Sequence, residues 1–97
     1  MIRNLVGRMT QDVFDGIDSR YARKLPSELH GKARRLLDQI NAAPSLEFLR
    51  IPPANRLEKL KGDLSGYRSL RIDDQWRIIL KWESHDALDV EIVDYHR

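Results

Sequence analysis

Hydrophobic positions change their period about halfway along the chain. In the first half the clearest stripe is Leu29, Ala33, Leu36, Leu37 and Ile40, with Lys32, Arg34, Arg35 and Asp38 on the opposite face. This i, i+4, i+7, i+8, i+11 spacing predicts an amphipathic helix over 27–41. Pro26 stands before the Ser27 cap, and Pro44 bars continuation beyond Ala43. A shorter helix is predicted from a Thr10 cap through Ile17, with the apolar Val13, Phe14 and Ile17 at spacings of one and three. Residues 2–5 read as a short edge strand, Ser45 caps one further turn through Leu49, and Pro52 and Pro53 enforce an irregular segment. From Leu57 onward the period becomes two. Residues 67–72, 75–83 and 87–95 read as three antiparallel strands, joined by Asp73-Asp74 and by Ser84-His85-Asp86. A three-residue second turn makes Trp82 face Leu88, Leu80 face Val90, Ile78 face Ile92 and Trp76 face Asp94. All but the last are apolar pairs, so this face packs under the helix. The other face carries Arg77, Ile79, Lys81, Glu91, Val93 and Tyr95, and is expected to be solvent-facing, with Arg77 and Tyr95 diagonal neighbours.

At 97 residues the chain is long enough for one modest core and too short for two, so one domain over 1–97 is expected. It has no cysteine, which excludes a disulfide scaffold, a thiolate metal site and a cysteine nucleophile. No apolar run approaches a membrane span and no signal-peptide stretch opens the chain, so a soluble, cytoplasmic protein is expected. The formal net charge of +2 hides a segregation: residues 20–35 carry a local +5, residues 50–81 a local +4, and residues 82–97 a local −4. Twelve of the 17 basic residues are arginine, whose planar fork suits phosphate and stacks on bases. These segments either attract a polyanion or form a mixed, solvated surface.

Three places carry candidate chemistry. Lys61 precedes Gly62 in Leu57-Glu58-Lys59-Leu60-Lys61-Gly62-Asp63, where it either stabilises a phosphate or is an ordinary lysine before a turn. Arg77, in mid-strand, either pairs with Glu91 or Asp89 or is aimed at an anion. Asp94-Tyr95-His96 combines a proton acceptor, a hydrogen-bond donor and a group that titrates near neutrality, unless it is only a polar tail. His30 and His85 read as surface positions, and the three histidines are too scattered for a zinc site. No metal or cofactor is expected.

The stretch Pro52-Pro53-Ala54-Asn55-Arg56-Leu57-Glu58-Lys59-Leu60-Lys61-Gly62-Asp63, then Gly66-Tyr67-Arg68-Ser69-Leu70-Arg71-Ile72-Asp73-Asp74-Gln75-Trp76-Arg77-Ile78, then Val90-Glu91-Ile92-Val93-Asp94-Tyr95-His96, resembles the HigB toxins of bacterial toxin–antitoxin systems. These are the plasmid maintenance killer proteins of the RelE superfamily. The match runs through about the last half of the chain in one register; the first half is similar only in length and helix placement. The resemblance implies an α+β fold, a small mostly antiparallel sheet backed by N-terminal helices in the order β-α-α-β-β-β. It also implies ribosome-dependent, metal-independent cleavage of mRNA, through attack of a ribose 2′-hydroxyl on the adjacent phosphate. The implied partners are the ribosome, mRNA and a HigA-like helix-turn-helix antitoxin, through which alone the chain would meet operator DNA.

Carried over residue by residue, the resemblance puts Lys61, Arg77, Asp94, Tyr95 and His96 at the family's functional positions. Lys61 and Arg77 would meet phosphorane charge, His96 or Asp94 would move protons, and Tyr95 would stack on or orient the nucleotide. Glu58 stands where some members carry His, and would substitute for it. Arg56, Lys59, Arg68 and Arg71 are expected to bind RNA. Two other readings differ in kind: a ParE-like toxin that binds DNA gyrase without nuclease residues, and a non-toxic nucleic-acid-binding module.

Overall fold

The computed structural model describes residues 1–95; His96, and with it the proton-transfer role expected of it, lies outside the described residues. Two helices, α1 (Arg8–Asp15) and α2 (His30–Ala42), precede four strands: β1 (Glu58–Lys59), β2 (Arg68–Arg71), β3 (Trp76–Glu83) and β4 (Asp86–Asp94). The strands form one antiparallel sheet in the order β1-β2-β3-β4, so every neighbour in sequence is a neighbour in space. The α+β class and the helices-then-sheet order are as expected. The expected first strand is reduced to two parallel bridges, Ile2 with Ala87 and Leu5 with Val90, along the outer edge of β4. A two-residue strand that periodicity did not predict, β1, closes the other edge.

Helix α2 follows a 3-10 turn, Ser27–Leu29, and its stripe Ala33, Leu36, Leu37 and Ile40 is buried against the sheet with Leu70, Ile78, Leu80, Val90 and Ile92. Helix α1 begins two residues earlier than its predicted cap. Thr10 is inside the helix, 1% exposed, and its hydroxyl accepts the Ile92 N–H at 3.0 Å. It does not cap the helix; it satisfies the β4 edge, which the N-terminal bridges leave open at that point. Gly16, in the left-handed region at φ 72°, ends the helix.

The connections differ from the simple turns expected. Between β2 and β3 the chain turns through residues 72–75, and Asp73 closes it by accepting the N–H groups of Gln75 (2.9 Å) and Trp76 (2.7 Å). Between β3 and β4 Glu83 opposes Asp86, so the turn has two residues rather than three, with Ser84 at φ 57°. The extra residue reappears as a bulge in β4 between the Ile79–Glu91 and Lys81–Leu88 pairs. Asp89 there adopts φ 51°, held by Asn4, whose side chain accepts the Asp89 N–H and donates to its carboxylate. The bulge restores the expected Ile78–Ile92 and Trp76–Asp94 pairs, while Trp82 faces Ala87 and Leu88 faces Lys81 instead.

Candidate active site

The register fixes which side chains share the face away from the helices. Arg71 opposes Arg77, Ser69 opposes Ile79, Glu58 opposes Ser69, and Val93 opposes Arg77. This face is not the open surface expected from alternation alone. Ser69, Arg77 and Ile79 are each 5% exposed or less. A cleft of about 420 Å³ opens onto it, lined by Glu58, Lys59, Leu60, Ser69, Arg77 and Tyr95.

Arg77 is the centre of this cleft. Its Nη1 lies 3.5 Å from Glu58 Oε1, its guanidinium carbon lies 6.0 Å from the centre of the Tyr95 ring, and its Nε is buried without a hydrogen-bond partner. Neither Glu91 nor Asp89 holds it: Asp89 faces Lys81 at 3.8 Å, and burial pushes the Glu91 carboxyl above the ordinary carboxylate range. Tyr95 follows β4 and is tied to the β3 start by its N–H, donated to Gln75 O at 2.7 Å. Glu58 is carried by β1, whose approach is set by the 3-10 turn Pro53–Asn55. Buried Asn55 donates to Leu49 O, Ile51 O and the Gln39 side chain, which pins this turn to α2.

A second cleft, of about 280 Å³, adjoins the first through Arg77 and is otherwise lined by Arg56, Arg71 and Asp74. Arg71 donates to Asp74 at 2.6 Å. That bond and the Arg71 charge, with smaller contributions from Arg77 and Arg56, hold the Asp74 carboxyl below its ordinary range.

Of the residues singled out from sequence, Glu58, Lys59, Arg77 and Tyr95 meet in the larger cleft, and Arg56 and Arg71 meet Arg77 in the smaller one. Lys61 is exposed at the head of the 3-10 turn Gly62–Leu64 and lines neither cleft; Gly62 there takes the positive φ of 67° that favours glycine. Asp94 alternates with Tyr95, so it belongs to the opposite face, where Gln75 donates to it at 3.2 Å. Arg68 opposes Leu80 and is likewise directed away from Arg77. Ser69, Leu60 and Asp74 were not anticipated; counting by two from Arg71 finds Ser69. Among the described residues, no group of three or more His, Asp or Glu side chains could hold a metal ion, and no helix is long and apolar enough to cross a membrane.

Residues 11–96 match the family model of the RelE-like toxin of type II toxin–antitoxin system HigB. This chain belongs to that family. Toxin HigB-1 of Vibrio cholerae is 38% identical over 80 residues, spanning 82% of this chain and 83% of that protein. Among solved structures, a single-residue mutant of YafQ from E. coli superposes with a TM-score of 0.63 at 20% identity, over 91% of this chain and 84% of that one. The YoeB dimer of Staphylococcus aureus gives 0.58 at 22%, over 97% and 94%. At these identities the structures speak for the fold, a RelE-like one. The chain is thus a HigB-like toxin of the type II class, and the clefts around Arg77 lie on the sheet face of that fold.

Proposed function

We propose that this HigB-like toxin is a ribosome-dependent, metal-independent mRNA endonuclease whose reacting phosphate sits in the larger cleft. The observation that carries this reading is Arg77: a guanidinium almost wholly buried, one nitrogen unpaired, facing an open cleft between a carboxylate and an aromatic ring. A cation kept in that condition is pre-organised for an anion, and its stabilisation grows as the phosphorane gathers charge. Glu58 takes the proton from the ribose 2′-hydroxyl, and O2′ bonds to phosphorus. The bond from phosphorus to the 5′-oxygen breaks, and His96 returns a proton to that oxygen. The products are a 2′,3′-cyclic phosphate and a 5′-hydroxyl end. Tyr95 stacks on the base beside the cleavage point, Lys61, outside both clefts, adds to the positive potential around the phosphate, and Asp94, on the other face, accepts from Gln75 just before β3.

The ribosome supplies what the toxin lacks. Two small clefts engage few phosphates, too few to hold free RNA at physiological salt. A HigA-like antitoxin neutralises the chain and is its only link to operator DNA, and all of this takes place in the cytoplasm. The test is brief induction followed by mapping of mRNA 5′ ends, with purified protein and naked RNA at ~0.15 M salt in parallel. New 5′ ends at ribosome-occupied codons, and no cutting of naked RNA, are expected. Efficient cutting of naked RNA overturns ribosome dependence. Filamentation without new 5′ ends overturns the nuclease reading in favour of gyrase inhibition.

A further inference from the structure

We propose that the smaller cleft is a second phosphate subsite, for the backbone phosphate adjoining the scissile one, and that Asp74 occupies it in the free toxin as a stand-in for that phosphate. The proposal rests on the assignment of the larger cleft to the reacting phosphate. Arg56, Arg71 and Arg77 converge here, and Arg71 and Arg77 are directly opposed across β2 and β3. Like charges facing one another across a ladder repel unless an anion lies near both. The anion supplied by the fold is the Asp74 carboxylate, 2.6 Å from Arg71. Asp74 has no structural duty that explains it, since the turn is closed by its neighbour Asp73. Its side chain is 98% exposed, and so exposed an ion pair is held weakly enough for a phosphate to displace. Arg56 makes no ion pair among the described residues, and its backbone is held at φ 50° by the pinned turn before it. Because Arg77 lines both clefts, one strand of RNA can place two successive phosphates against it.

Binding without cleavage tests this. The probes are a trinucleotide and a dinucleotide, both 2′-O-methylated, with two phosphates and one, titrated at low salt into the toxin, Asp74→Asn and Arg71→Gln. Asp74→Asn is expected to tighten the trinucleotide by about two- to fivefold relative to the dinucleotide. Arg71→Gln should weaken the trinucleotide selectively and lower its salt slope by about one. A general charge effect acts about twice as strongly on the doubly charged trinucleotide, so each ratio is read against that of Asp38→Asn or Arg35→Gln, which remove the same charge from the exposed face of α2, outside both clefts. An unchanged ratio in Asp74→Asn overturns the stand-in, and an unchanged ratio in Arg71→Gln overturns the subsite, each leaving the larger cleft intact. If neither probe binds the unaltered toxin, the RNA reading of both clefts falls with it.

Discussion

Replacing Arg77 by methionine should make the protein more stable while it destroys the proposed activity. The side chain is 6% exposed, so its charge bears a desolvation penalty of several kcal/mol. Its unpaired Nε adds about 1–3 kcal/mol. Against this stands one carboxylate at 3.5 Å, worth about 5 kcal/mol gross at an effective dielectric of about 20. Glu58 is 42% exposed, which screens part of that gain, and the Tyr95 ring at 6.0 Å is at the outer limit of a cation–π contact. The balance leaves the arginine a net burden of about 1–2 kcal/mol, which a methionine of similar length removes while keeping the stem packed. For a domain of this size that is a rise of about 5–10 °C in Tm. Cleavage should fall about 10²- to 10³-fold. Thermal melts followed by circular dichroism, run beside a translation-arrest assay, read both quantities. A drop in Tm on Arg77→Met would refute the reasoning, because it would mean that the buried charge is a net support of the fold.

Thr10→Val leaves the Ile92 N–H buried without an acceptor and should cost about 1–3 kcal/mol by denaturant unfolding, with faster hydrogen exchange at Ile92. Equal stability would show that water or a shifted helix replaces the hydroxyl. Burial raises the Glu91 carboxyl, so the folded state binds its proton more tightly than the unfolded state does. Stability is therefore lost as pH rises from the ordinary carboxylate range through the raised value. Glu91→Gln should melt like the parent near pH 4 and slightly above it at pH 7, and a difference that does not grow with pH would contradict this. Ile78→Ala, by contrast, empties a fully buried position and should cost about 2–5 kcal/mol, abolishing toxicity through unfolding.

Much of this architecture was legible in the sequence because it depends on periodicity. The stripe from Ala33 to Ile40 and the alternation through Trp76–Glu83 each serve one dominant driving force, burial of an apolar face. The misreadings come from single side chains whose partners are distant in sequence. Thr10 looks like a cap until Ile92, 82 residues away, is brought to it. A loop of three residues and a loop of two with a bulge give the same register at Ile78, and only Asn4 reveals which is used. Arg77 was legible as a position and not as a condition. Alternation puts it on the outer face, yet its burial depends on Glu58 and Tyr95, which come from segments too short and irregular to announce their packing. For the same reason the motif kept Lys61, Asp94 and Arg68 together with Arg77, whereas the register turns Asp94 and Arg68 to the other face and Lys61 stands past the end of β1, outside both clefts.

The bridges made by the first six residues have a consequence for how other chains can attach. An antiparallel sheet of this size ordinarily offers two open margins for strand addition, which is both a route to recognition and a hazard of aggregation. Here one margin is only two residues long, and the other is already occupied by four backbone hydrogen bonds: Arg3 N–H to Ala87 O, Val6 N–H to Val90 O, Ala87 N–H to Met1 O and Val90 N–H to Asn4 O. At a net ~0.5–1.5 kcal/mol each, a polypeptide seeking to extend the sheet beside β4 must first peel away contacts worth about 2–6 kcal/mol. The one broad face turned away from the helices, rather than a margin, is therefore what this small sheet leaves available to a partner.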